Sequence, residues 1–467
     1  MLLRIAATNF FLPLPASPVS SQPPAGAGNI FAFAAFNALS FQMIIGSPMV
    51  LYAKSLDASA TTLGLIAGML PILVILQIPA ARFVDAAGYK KFVLSGWSIR
   101  TVFVALMVLV PLSASVLSPG ARLGIVLVLL FCFNVSRGIS SCGWLPWIAS
   151  IIPESTRGRF LTREGTMVNL ASFTAFWLAA FVLGGEPRPW HFASLFLFSA
   201  VCAGVSLIFL RAIPAETRVE AHQQSKRPRL TDMLKIRPFR RLLQLNVVWA
   251  LANGGVLTFL VAWLKTEVQM PEHHILMLSS VIFVGALLNQ LFVSRILDRF
   301  GSRPVLMTGL LVLLVLLATW TAITGGVLNP LLPLIAVMML VLGIGGSMVN
   351  LANLRLAMLT VPEIGRSHYF AVFSVVTSVS LGVAPMLWGV LVDAVSGLSR
   401  MLGSHFELNA WSLLFALMTL LFAIAFLVST RLEEPKSVRW EALMRLVMNR
   451  SRVRYWLRPF SRSTPRS

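Results

Sequence analysis

The chain has 467 residues, of which 57% are hydrophobic and only 12% charged. Soluble globular chains run near ~25% charged and ~45–50% apolar, so this composition excludes a string of ordinary water-soluble domains. The formal net charge is still +21, from 38 Lys and Arg against 17 Asp and Glu, a balance that elsewhere signals a nucleic-acid partner.

A helix that crosses the roughly 30 Å hydrocarbon core of a bilayer needs about 20 mostly apolar residues. In chain order, residues 1–28 hold five prolines and a single charge, which predicts a disordered tail. Pro13 and Pro15 interrupt its apolar run and argue against a signal peptide. Six apolar spans follow, over about 29–54, 60–84, 92–113, 123–151, 165–184 and 190–210. The stretch 211–241 then carries nine Lys or Arg and three acids. Six more spans cover about 242–264, 275–296, 304–325, 331–359, 369–392 and 411–430. These runs are continuous, without period-two alternation, so they predict helices rather than barrel strands. The expected organisation is a tail over 1–28, six helices over 29–211, a basic linker over 212–240, six helices over 241–431 and a basic tail over 432–467. In that last tail Trp440, Leu443, Met444, Val447 and Met448 recur at helical spacing among arginines. The pattern fits an amphipathic helix on anionic lipid as well as it fits a solvated arginine-rich tail. Cys132, Cys142 and Cys202 all fall inside spans, without metal-ligand spacing, and are expected as small core residues.

The two sets of six spans repeat one another. Arg82, Asp85, Gly88 and Lys90 after the second span match Arg295, Asp298, Gly301 and Arg303 after the eighth, at an offset of 213 residues. Pro153-Glu154 with Arg157 after the fourth span matches Pro362-Glu363 with Arg366 after the tenth, at an offset of 209. Two loops matched in the same order point to a duplicated six-helix unit. At these residues the chain resembles the major facilitator superfamily of secondary transporters. Asp298-Arg299-Phe300-Gly301-Ser302-Arg303 is similar to that family's loop signature, and Asp85 to Lys91 is a first-half copy with Ala86 and Tyr89 in place of usual bases. The resemblance implies an all-α integral membrane protein of twelve transmembrane helices, built as two pseudo-symmetric six-helix bundles. It also implies that Asp85, Gly88, Lys90, Asp298, Arg299, Gly301 and Arg303 form a latch at one face. Topology offers a plainer account of the same bases, which hold their loops in the cytoplasm.

Twelve spans leave both termini on one side, and the basic linker and tail mark that side as cytoplasmic, at the cell (inner) membrane. On this topology 31 of the 38 Lys and Arg lie in cytoplasmic segments, so the charge is the positive-inside rule rather than a nucleic-acid footprint. Two arginines stand apart. Arg137 lies 15 residues past Arg122, about 22 Å of helix away, and Arg100 lies nine residues past Lys91, about 14 Å in. An arginine at bilayer centre costs roughly 2.5–3.5 kcal/mol, and no Asp or Glu sits near the centre of any span to offset it. Asn134, Arg137 and Ser141 share one helix face at i, i+3 and i+7. By resemblance, spans one, four, seven and ten line a central cavity, which makes Arg137 the best placed charge for substrate. Arg100 is expected on a more peripheral helix, as a structural charge bonded to backbone. Asn37, Ser40, Gln42, Trp249, Asn253, Ser347 and Asn350 are further mid-span polar groups. Each serves equally as a substrate contact or as glue between helices, worth about 0.6 kcal/mol on average.

No P-loop, zinc His pair or nucleophile elbow is present, so neither an enzyme nor a cofactor is expected. The expected function is facilitative or secondary active transport of a small polar solute, anionic or hydroxylated, by alternating access and as a monomer. Drug or lipid efflux on the same fold is one alternative. A non-transporting membrane scaffold or receptor is another.

Overall fold

The computed structural model describes residues 27–152, 154–215, 230–361, 366–402, 409–432 and 434. The terminal tails, most of the linker, Pro153 and residues 362–365, 403–408 and 433 lie outside the described residues. Among the described residues, twelve helices are long and apolar enough to cross a membrane. They are α1 Gly28–Ser55, α2 Ala60–Val84, α3 Tyr89–Ser115, α4 Pro119–Ile148, α5 Phe160–Leu183 and α6 Pro189–Ala212. The second half holds α7 Arg237–Thr266, α8 Glu272–Gln290, α9 Ser302–Thr324, α10 Leu332–Thr360, α11 His368–Leu398 and α12 Ala410–Ser429. Every expected span is present. At Arg237 and Phe160 a first turn that carries polar residues extends the helix five residues ahead of its expected start.

Several helices are interrupted, and the interruptions follow the sequence. α1 breaks at Gly46, ahead of Pro48, whose missing N–H cannot continue the backbone ladder. α7 breaks at Gly254 and Gly255, the latter at φ +85°, a conformation suited to glycine. Pro71 leads α2 into a 3-10 turn over Leu73–Leu76, and α4 passes through Ser141–Gly143 before Pro146. The first helix of each half is therefore divided into two segments.

We call the face that carries the Gly88 and Gly301 turns the near face, and its opposite the far face. The halves meet along two helix pairs, α2 with α11 and α5 with α8. The α2–α11 contact is close because it is lined by glycine. A Cβ on Gly64 would run into the Pro385 carbonyl, one on Gly68 into the Gly382 carbonyl, and one on Gly389 into the Ala60 carbonyl. At the far face the second segment of α1, Ser47–Ser55, also packs on the second segment of α7, Val256–Thr266. The far-face ends of the two halves are thus closed on each other. The outer surface stays apolar, with Phe181 85% exposed on α5, as a helix in hydrocarbon requires.

Candidate functional site

The first half holds both intramembrane arginines. Trp97 and Arg100, three residues apart on α3, share the face turned toward α1. Arg100 is 3% exposed and donates from Nη2 to the Asn37 amide oxygen of α1. The Trp97 indole N–H donates to that same oxygen at 3.3 Å. The Arg100 guanidinium also lies 4.9 Å from the Trp97 ring centre and 5.4 Å from that of Phe133 on α4. Its Nε has no hydrogen-bond partner. The expected backbone acceptor is thus corrected to a side-chain amide. The Asn37 amide oxygen has two acceptor sites, and Arg100 and Trp97 share them.

Arg137 is held differently. It is half-buried on α4, with its guanidinium 5.2 Å from the Phe41 ring centre on α1. It makes no hydrogen bond or ion pair with any described residue. Phe41 lies one helical turn past Asn37, so the two arginines meet the same face of α1. Among the described residues neither arginine is paired with a carboxylate. Each guanidinium instead lies beside an aromatic ring, Trp97 for Arg100 and Phe41 for Arg137.

The other expected contacts divide into used and unused groups. Asn134 is buried, donates to the Leu130 carbonyl at 2.9 Å and leaves its own Oδ1 unpaired. Ser141 accepts from Gln77 of α2 at 2.7 Å, so it ties α4 to α2. On α1, Ser40 bonds Ser199 of α6 at 2.9 Å, and Gln42 donates to Ser172 of α5 at 3.0 Å. With Asn37 on α3, the polar residues of α1 bind three neighbouring helices. In the second half Ser347 accepts from Asn289 of α8 at 2.7 Å. Asn253 is half-buried at the α7 break and Asn350 is exposed on α10, and neither bonds a described residue. Of the six expected substrate contacts, Arg137, Asn253 and Asn350 keep their hydrogen-bonding groups free among the described residues.

One arrangement is absent from the sequence-based expectation. Asn246 of α7 and Asn353 of α10 exchange two amide hydrogen bonds, at 3.1 and 2.6 Å, and both are buried. Trp249 lies beside them with its indole N–H unpaired. The repeat held the signal, because the offset of 209 that relates Pro153 to Pro362 also relates Asn37 to Asn246. Trp97, Phe133 and Gln77 had no such signal, since nothing in the order of residues says which helix they face.

At the near face, Gly88 and Gly301 adopt φ +79° and +89°, each just ahead of the next helix. Lys90 donates to the Ile213 carbonyl at the end of α6, at 2.7 Å. Arg303 donates to the Thr430 carbonyl at the end of α12. The Ser302 and Arg303 backbone N–H groups donate to the Glu434 carboxylate at 3.0 and 2.8 Å. These bonds bind each base to the last helix of its own half, rather than across the boundary between halves. The side chains of Asp85, Asp298 and Arg299 lie outside the described residues.

A family model described as Major Facilitator Superfamily matches residues 30–271 and 245–446. Among solved structures, the chain is similar to a D-xylose-proton symporter at 12% identity and TM-score 0.69, covering 87% of this chain and 98% of that one. It is similar to the nucleoside transporter NupG at 14% identity and TM-score 0.58, covering 88% and 100%. A bacterial homolog of the human lysosomal transporter Spinster, inward-facing and unoccupied, matches at 15% identity and TM-score 0.62, covering 86% and 96%. No curated protein matches the chain in sequence.

Proposed function

The chain belongs to the major facilitator superfamily of membrane transporters, and on that premise we propose that its cargo is a small anionic solute bound at Arg137. The observation that carries this reading is a half-buried guanidinium against Phe41, one turn of α1 from the Asn37 that holds a second, buried arginine, and without a carboxylate partner among the described residues. Desolvating such a charge costs roughly 2.5–3.5 kcal/mol on insertion scales, and an anion that binds it offsets that cost only while present. Charge-assisted bonds of this kind are about twice as strong as neutral ones. Arg100 is the fixed member of the pair, anchored by Asn37, and Arg137 is the member left for solute. Asn253 and Asn350 add neutral hydrogen-bonding groups from the second half. Closing the far face while solute reaches Arg137 from the near face is one half of an alternating-access cycle.

The near face is the cytoplasmic one by the positive-inside rule, with both termini on it, in the cell (inner) membrane. The chain works as a monomer of two six-helix bundles, over 29–211 and 241–431. Proteoliposomes carrying wild type, Arg137→Lys and Arg137→Ala test the reading against a panel of small carboxylates, sulfonates and phosphates. The expected result is uptake of at least one anion that Arg137→Ala loses and Arg137→Lys keeps in part. Equal anion uptake by all three proteins would sink it.

A further inference from the structure

A second site lies on the outer side of the first half, between α3 and α4. It is a groove of about 350 Å³ with Phe92, Ile99 and Phe103 on one wall and Phe131, Val135 and Ile139 on the other. That volume falls within the range of about 300–1,000 Å³ typical of small-molecule sites. The groove exists because the helices touch at small residues: a Cβ on Gly96 would run into Ser140, so larger neighbours splay apart above the contact. Its walls open outward, with Ile99 52% and Phe131 49% exposed. From Phe92 to Phe103 the groove runs eleven residues, about 16 Å of helix, from the near face inward. One leaflet of a hydrocarbon core about 30 Å thick has a depth of about 15 Å.

The near-face mouth carries a charge. Lys91 lies four residues, one turn, before Ser95 on the same ridge of α3. It is exposed and makes no hydrogen bond or ion pair with a described residue, whereas its neighbour Lys90 is held by the Ile213 carbonyl. An apolar channel one leaflet deep, with a free cation at its membrane-surface end, matches an anionic amphiphile. We propose that the α3–α4 groove is a binding site for an anionic phospholipid of the near-face leaflet, with one acyl chain in the groove and its headgroup on Lys91. Arg100 lies one helical turn past Gly96, on the adjoining face of α3, so the occupant bears on the helix that positions the buried arginine. The site stands apart from Arg137 and does not depend on what the transporter carries.

Native mass spectrometry of the detergent-purified full chain, titrated with phosphatidylglycerol or phosphatidylcholine, tests this. Wild type is expected to retain phosphatidylglycerol in preference to phosphatidylcholine. Ser95→Phe fills the groove and is expected to remove the tight adduct with both lipids. Lys91→Gln, at an exposed side chain that the fold does not use, is expected to weaken phosphatidylglycerol alone by about fivefold, the worth of one surface cation against an anionic headgroup. Unchanged phosphatidylglycerol retention in a folded Ser95→Phe protein overturns the site. Unchanged retention in Lys91→Gln overturns the headgroup assignment. Should Ser95→Phe fail to fold, Cys132→Phe on the facing wall serves the same purpose.

Discussion

The Asp393 carboxylate of α11 caps the first turn of α2 across the boundary between halves, accepting from the Thr61 N–H at 2.8 Å and the Ala60 N–H at 3.1 Å. Those N–H groups have no intrahelical partner, and the positive end of the helix dipole favours the carboxylate's charge. A second contact across the boundary joins His273 of α8 to the Gly184 carbonyl past α5, at 2.8 Å. Both lie at the far face, where the glycine seam of α2 and α11 also begins. The closed state of this face therefore rests on a capped helix end and on backbone-to-backbone packing.

Removing the cap should open that face. Asp393→Ala is expected to lose about 1–2 kcal/mol of closed-state stability, a shift of roughly five- to thirtyfold in the open population. Spin labels at Ser55 and His274, both exposed at the far face, would report it as a longer-distance population. A distance distribution identical to that of the parent labelled protein would refute the latch.

The two arginines should separate in their effect on stability. Asn37→Ala leaves the buried Arg100 guanidinium without its acceptor, and is expected to cost about 3–5 kcal/mol, as breaking a buried charged contact does. Arg137→Ala removes a charge that no described residue pairs with, and is expected to leave the melting temperature nearly unchanged. Thermal unfolding in detergent checks both. A larger loss for Arg137→Ala than for Asn37→Ala would reverse the roles given to the two residues.

The Asn246–Asn353 pair should behave as a unit. Either single change to Leu strands one buried amide, at about 1–3 kcal/mol. The double change to Leu removes both polar groups together and should cost less than the two single costs added. A double-mutant cycle read by thermal unfolding measures the difference, and strict additivity would show that the two amides are independent.

The near-face turns make a paired prediction. At Gly88 and Gly301 the backbone stands at φ +79° with ψ 145° and at φ +89° with ψ 173°, a region almost confined to glycine. Gly88→Ala and Gly301→Ala are each expected to lose about 1–3 kcal/mol by strain alone. Because the turns are copies, the two losses should be similar. Thermal unfolding of the two variants side by side checks it, and a cost confined to one turn would show that the other glycine is replaceable.

How much of this was legible beforehand varies by residue. The twelve spans follow from local composition, since a bilayer selects for apolar length and tolerates little else. The duplication follows from matched loops, whereas the positive φ at Gly88 and Gly301 is seen only in the structure. Arg100 and Arg137 stood out because a charge in hydrocarbon is costly wherever it sits. Their roles diverge for a reason that no spacing carries: α1 offers an amide oxygen to Arg100 and a phenyl ring to Arg137. Asn37 likewise changes from a free contact to an anchor once α3 is seen beside it. Asp393 becomes a helix cap only where α2 is placed against α11.

The +21 charge of the opening composition belongs almost entirely to what sequence settles by itself. By the positive-inside rule it carries the expected sidedness of the loops, because moving Lys and Arg across a bilayer is expensive. Sequence also determined the helices and the presence of two cations inside the membrane with no carboxylate at their depth. Only the tertiary structure decided which cation is tied down and which keeps its donors unpaired among the described residues. It also decided which face is closed, and that a groove runs between α3 and α4. The physical reason is common to these cases. A helix satisfies its own backbone within a few residues of chain, but a side chain in the membrane must find its partner on another helix.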